Sequence, residues 1–219
     1  MATTRTYNEA CGIPRALDRV GERWALMVVR ELVLGPKRFT DLRTGLPHAS
    51  PNVLAQRLRE LEQAGVVRKR KLPPPAASQV YELTDWGREL QDVLLALGRW
   101  GARAPGPPEG VGMSMDSHLL SLQTLFDPAR AEGLEATFEL RLGDDRFTAD
   151  VRGGALHIAR GEATSPDVVI EADAGELLAV IHGRMELSDS GIRMSGDREA
   201  AERFMSLFPL PEPALVPAA

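Results

Sequence analysis

Residues Ser50–Lys71 read SPNVLAQRLRELEQAGVVRKRK. Ser50 is a strong helix N-cap, and Pro51 suits the first turn, where a missing N–H costs nothing. At about 100° per residue, Leu54, Leu58 and Leu61 fall within a narrow arc that must face a core. Asn52, Gln56, Arg59 and Gln63 then lie on the opposite side, with Val53 beside them. A glycine, Gly65, follows the helix, and Arg68, Lys69, Arg70 and Lys71 turn the chain abruptly basic. Asn and Gln donate and accept at adenine in the major groove, and Arg contacts guanine or phosphate. The cap region leaves backbone N–H groups near Ser50, a site suited to a phosphate.

Charge along the chain supports this reading. Residues 1–104 hold 17 Lys and Arg against 11 Asp and Glu, a net +6, whereas residues 105–219 hold 9 against 20, a net −11. Only the first half is suited to a polyanion. The division falls at Pro105-Gly106-Pro107-Pro108-Glu109-Gly110-Val111-Gly112, which supports neither a helix interior nor a central strand. The expected organisation is a domain over 1–104, a Pro/Gly linker over 105–112 and a second domain over 113–219. No apolar run approaches the roughly 20 residues that span a bilayer, and MATTRTYNEACG lacks the apolar core of a signal peptide. Cys11 is the single cysteine and forms no internal disulfide, which points to a reducing cytoplasm.

The first half reads as helical. Ile13, Leu17 and Val20 give a short apolar face, with Pro14 in a first turn and Gly21 at the end. Trp24 to Leu34 is apolar almost all round, a buried helix stopped by Gly35-Pro36. Phe39–Thr44 forms a short helix before the one capped by Ser50. Val66–Leu72 and Gln79–Leu83 read as two strands around a proline-rich loop. Thr84 caps a long helix to Arg103, with Leu90, Val93, Leu94 and Leu97 on one face. The order of helix, tight turn, helix with a polar outer face and basic hairpin is that of a winged helix-turn-helix. Its candidate DNA contacts are Ser50, Asn52, Val53, Gln56, Arg57 and Arg59, with Lys69, Arg70 and Lys71 along the sugar–phosphate backbone or in the minor groove. The alternative, an amphipathic surface helix followed by a solvated charge run, does not account for that order or for the charge split.

The second half changes period. A helix near Met115–Phe126 precedes alternating stretches at Phe138–Leu142, Phe147–Val151 and Leu156–Ile158. Gly153-Gly154 between the last two is a strong hairpin signal. Asp167–Ala172 and Gly191–Ser195 are further strands, and Glu176–Ile181 and Arg198–Phe208 are amphipathic helices. These predict an antiparallel sheet with helices at its ends and on one face, an α+β arrangement. His118, His157 and His182 lack metal-ligand spacing, Asp144-Asp145 fits a hairpin turn, and no catalytic set emerges. No metal, cofactor or enzymatic activity is expected.

Blocks from Cys11-Gly12-Ile13-Pro14 through Gly21-Glu22-Arg23-Trp24, Arg30-Glu31-Leu32, Gly35-Pro36-Lys37-Arg38-Phe39, Leu42-Arg43 and SPNVLAQRLRELEQAGVV to YELTDWG resemble, in order, the HxlR family of bacterial transcription regulators. The resemblance covers about residues 8–103. It implies a homodimer paired through the first and last helices of the domain, and an inverted-repeat operator with the helix after Ser50 in the major groove. Family wings commonly carry Arg or Lys just before the second strand. Ser78-Gln79 stand there here, which leaves wing contact to Lys69, Arg70 and Lys71. Cys11 occupies the position of a cysteine through which some family members sense oxidants or electrophiles. A thiol switch needs a lowered pKa and access; the alternative is an inert thiol.

In residues 130–208, the paired strands, PDVVIEAD, the short helix ending in His182-Gly183, and GIRMSGD before a last helix resemble the sterol carrier protein fold. That resemblance implies an apolar pocket for a lipid-like or polycyclic ligand. Its candidate lining is Phe138, Phe147, Leu156, Ile170, Leu178, Ile181, Met185, Met194, Phe204, Met205 and Phe208, side chains that equally suit a small core. The expectation is a cytoplasmic dimeric regulator of double-stranded DNA, modulated by a hydrophobic small molecule. A thiol-based switch at Cys11 and a lipid carrier without specific DNA recognition are the competing readings.

Overall fold

The computed structural model describes residues 6–106 and 111–214. Residues 107–110 of the expected linker, residues 1–5 and residues 215–219 lie outside the described residues. The chain forms two compact units, one ending at Leu94 and one beginning at Leu95.

The first unit contains α1 (Gly12–Val20), α2 (Ala25–Leu32), α3 (Phe39–Gly45), α4 (Pro51–Gln63), β1 (Val67–Lys71), β2 (Gln79–Leu83) and α5 (Asp85–Arg88). Leu54, Leu58 and Leu61 of α4 are all but fully buried, beside Val28 and Val29 of α2 and Leu42 of α3. Burying a leucine side chain stabilises by about 1.5–3 kcal/mol, so these three leucines fix which way α4 faces. The turn from α3 to α4 is tight: Leu46 N–H donates to Leu42 O at 2.9 Å and Ala49 N–H to Leu46 O at 3.0 Å.

Three local expectations are corrected. α2 is shorter than Trp24–Leu34 because the turn after α1 puts Trp24 in the left-handed region, at φ 77°, just outside the helix. α2 also carries a fully buried carboxylate, Glu31, paired with Arg30 at 2.8 Å and Lys37 at 2.7 Å. A Cβ on Gly45 would lie 2.2 Å from Glu31 Oε2, so any larger residue at the end of α3 would displace that carboxylate. The long helix expected from Thr84 is two helices, α5 and then α6 (Leu90–Gly101), separated by Glu89. Gly87 lies against the Val66 carbonyl, where a Cβ would come within 2.1 Å, and Thr84 Oγ1 accepts Gly87 N–H at 3.0 Å. The apolar faces of α1 and α6 are largely left uncovered by the chain itself. Of the α6 face only Leu94 is fully buried, while Val93, Leu97 and Trp100 are exposed, as are Ile13 and Leu17 of α1.

In the second unit α7 (Met115–Leu125) precedes β3 (Ala136–Leu142), β4 (Asp145–Arg152), β5 (Ala155–Arg160) and β6 (Val168–Ala172). α8 (Ala174–Ile181), β7 (Arg193–Gly196) and α9 (Arg198–Met205) follow. The five strands form one sheet in the order β5-β4-β3-β6-β7. Gly153 and Gly154 both have positive φ, as the tight hairpin between β4 and β5 requires. The sheet is mixed, not antiparallel throughout: β6 runs parallel to β3, with Leu140 opposite Ile170. Residues 161–167 return the chain to start β6, and Ala163 N–H is caught by Glu139 Oε2 at 3.1 Å. Alternation assigns side chains to faces but not a strand to a direction, and the reversal escaped the sequence for that reason.

Registry places Phe138, Leu140, Phe147, Ala149, Val168 and Ile170 on one buried face. α9 packs on it, with the Phe204 ring 4.5 Å from Phe138 and 5.1 Å from Phe208. The other face is polar. Thr137 Oγ1 donates to Asp150 at 2.7 Å, and Arg193 pairs with Glu171 at 2.9 Å. There, a hydrogen bond from Arg141 overcomes partial burial and holds Glu139 below the usual carboxylate range.

Candidate nucleic-acid interface

α4 begins where the sequence places it. Ser50 is the N-cap, and its Oγ accepts Val53 N–H at 3.4 Å. The cap side chain therefore already occupies one of the first-turn donors. Asn52, Gln56, Arg59 and Gln63 are exposed on the side opposite the three leucines, and Val53 is half-buried between the two sides. Gln56 Nε2 donates to Glu60 at 3.0 Å, which steers that amide along the helix. Arg57 does not join this group. Its side chain is 11 % exposed, paired with Glu60 and, at 3.6 Å, with Glu22, and its buried Nε lacks a hydrogen-bond partner. The sequence grouped Arg57 with the outward residues, but it clamps α4 to the turn before α2.

Beside the α4 N-terminus, Thr40, Arg43 and Thr44 of α3 share a hollow with Ala49 and Ser50. Thr40, Arg43 and Thr44 are exposed. They were not among the sequence candidates, although their spacing along α3 puts them on one helix side.

The hairpin divides the basic run. β1 and β2 are antiparallel, with Arg68 opposite Glu82, Lys69 opposite Tyr81 and Lys71 opposite Gln79. Strand alternation puts Lys69 and Lys71 on one face and Arg68 with Arg70 on the other, so Lys69, Arg70 and Lys71 are not one patch. Lys69 Nζ donates to Glu62 of α4 at 2.9 Å and lies 5.6 Å from the Tyr81 ring centre. That hydrogen bond outweighs partial desolvation and raises the Lys69 pKa. Lys71 has no ion pair among the described residues. Burial pushes Glu82 up, but hydrogen bonds from Arg70 and Arg68 outweigh it and bring its pKa below the usual range. On the far edge of β2, Lys37 and Tyr81 exchange backbone hydrogen bonds of 3.0 and 2.8 Å, an isolated antiparallel bridge.

These elements match known proteins. Residues 19–107 match the HxlR-like helix-turn-helix family. YvaP of Bacillus subtilis, an uncharacterized HTH-type transcriptional regulator, is 36% identical over 86 residues, which are 39% of this chain and 80% of YvaP. The HTH-type transcriptional regulator YodB of the same organism is 34% identical over 96 residues, 44% of this chain and 86% of YodB. The chain belongs to the HxlR-like helix-turn-helix family. The solved structure of reduced YodB, 33% identical, aligns with a TM-score of 0.39 over 43% of this chain and 94% of YodB. Beyond the HxlR-like part, residues 111–215 match the alkyl sulfatase C-terminal family.

The remaining candidates lie on other elements. Cys11 is exposed at the N-cap of α1, with no side-chain cap hydrogen bond. In the second unit Phe138, Phe147, Ile170, Leu178, Phe204 and Phe208 are buried, and Leu156, Ile181, Met185, Met194 and Met205 are half-buried. Phe138, Phe204 and Phe208 form a contiguous ring cluster, with Phe204 edge-on to Phe208. Among the described residues, no three His, Cys, Asp or Glu side chains converge as a metal-binding group, and no helix is long and apolar enough to cross a membrane.

Proposed function

We propose that this protein is a non-enzymatic transcription regulator that binds an inverted-repeat DNA operator as a homodimer, with α4 in the major groove. One observation carries the reading: α4 is held by Leu54, Leu58 and Leu61 while Asn52, Gln56, Arg59 and Gln63 stay exposed. Amides and a guanidinium on an exposed helix face are the groups that read adenine and guanine edges. Ser50 and, on α3, Thr40 and Arg43 would receive the flanking phosphates. Lys69, Arg70 and Lys71 on the hairpin supply the sequence-independent, salt-sensitive part.

The apolar side chains left exposed on α1 and α6 support dimerisation, because Ile13, Leu17, Val93, Leu97 and Trp100 are costly to leave in water. A two-fold axis then sets half-sites about 10–11 base pairs apart. Selection of bound sequences from random duplexes tests this. A recovered inverted repeat at that spacing supports the reading, and weak binding to every sequence alike replaces it with a lipid carrier that has a basic domain.

The working division is a DNA-binding domain over 1–104, a linker over 105–112 and a sterol-carrier-like ligand-binding domain over 113–219, in a cytoplasmic protein. The aromatic and methionine side chains of the second unit favour a hydrophobic small molecule as effector. Such a ligand changes operator affinity only through different affinities for two states of the protein. Titration with apolar ligands that never changed operator affinity would leave this unit a stability or dimerisation module. A second reading rests on the exposure of Cys11 at the start of α1. In that case oxidant abolishes operator binding by the wild type and leaves Cys11→Ser unaffected.

A further inference from the structure

Arg68 and Arg70 stand two residues apart on β1 and share a face of the hairpin with Glu82 of β2. The Glu82 side chain is 11 % exposed, whereas Arg68 and Arg70 are 58 % and 45 % exposed. Arg68 Nε donates to Glu82 Oε1 at 2.8 Å, and Arg70 Nε donates to Oε2 at 2.7 Å. One carboxylate thus grips two guanidinium groups by their inner nitrogens. Their Nη atoms make no hydrogen bond among the described residues. A carboxylate bound through the Nη fork would have consumed the edge that recognises a phosphate. Gripped at Nε, that edge remains open, and much of the rotamer freedom that binding would otherwise remove is already gone.

Glu62 offers the contrast. It takes the Lys69 ammonium directly at 2.9 Å, at an exposed position, and so competes with phosphate for that cation.

We propose that Glu82 is a positioning residue of the DNA interface, locking Arg68 and Arg70 by Nε so that two Nη forks stand side by side for neighbouring phosphates. This rests on the DNA-binding reading above and adds to it Arg68, which was not among the sequence candidates, and an acidic residue that strengthens binding to a polyanion.

The test measures affinity of the full chain for a mixed-sequence DNA duplex across a range of salt. Wild type and Lys71→Ala come first. A steep salt dependence that Lys71→Ala makes shallower shows that the hairpin meets phosphate; without it the DNA-binding reading itself fails. Given that result, Glu82→Gln is expected to bind about tenfold more weakly, with a salt slope shallower by about one to two. Arg70→Ala should then cost much less in the Glu82→Gln background than in wild type, because the two act as one unit. Binding by a folded Glu82→Gln that is unchanged or tighter, or fully additive losses, overturns the proposal. Should Glu82→Gln not fold, Glu82→Asp decides. It keeps the charge but is a methylene too short to bridge both arginines, so a slope shallower by about one supports the proposal, and the wild-type slope overturns it.

Discussion

α4 and α6 are both amphipathic, yet the fold uses them in opposite ways. In α4 the leucines are buried and the amide side is exposed. In α6 only Leu94 is fully buried, and Val93, Leu97 and Trp100 are exposed. An amphipathic pattern therefore says that a helix has two faces without saying which one the chain itself covers. A polar face left outside suits the edges of base pairs, whereas an apolar face left outside, with Trp100 at 75 % exposure, suits a second copy of the chain.

The comparison breaks most readily at its core. Leu58→Ala should cost about 2–5 kcal/mol of stability in denaturant unfolding, since the side chain is fully buried and its loss leaves a cavity. A loss near zero would mean α4 is not held as described. Trp100→Ala on α6 should leave stability almost unchanged while weakening dimerisation by about 2–4 kcal/mol, read by sedentimentation of diluted samples. An unaltered dimer would remove α6 from the interface. Asn52→Ala or Gln56→Ala should weaken the selected operator by about 1–3 kcal/mol while barely changing affinity for mixed-sequence DNA. Full-strength operator binding by both would show that the outer side of α4 does not read bases.

The smallest effect is in acid. The folded-state pKa of Glu82 is lowered, so its contribution to stability is present above the ordinary carboxylate range and is lost as pH falls through the folded value. Unfolding of Glu82→Gln should accordingly show a weaker decline towards acid than wild type. Identical acid limbs would mean that the two arginines do not hold the carboxylate in solution.

Much of the first unit was legible because its signals are local. Ser50 caps, Pro51 starts and three leucines select a side; in the second unit Gly153-Gly154 likewise announces its hairpin from dihedral preference alone. Glu31 was not legible: a carboxylate inside an apolar stretch is made tolerable by Arg30 and Lys37, which reach it, and by Gly45, which leaves it room. Arg57 was misplaced. At 100° per residue it stands nearer Leu54 and Leu61 than Asn52 or Gln56, and its pairing with Glu22 from another segment matches that inward side.

By itself the sequence determined the order of elements, the core side of α4, the basic and acidic halves and the family, since each follows from periodicity, capping, charge or motif within a few turns of chain. Tertiary structure alone decided the parallel pairing of β3 with β6, the exposure of Val93, Leu97 and Trp100 on α6 and the division of the basic run into a lysine face and an arginine face gripped by Glu82. Those outcomes depend on which distant segments meet. Burial and ion pairing are properties of such meetings, and residue spacing along one strand or helix does not encode them.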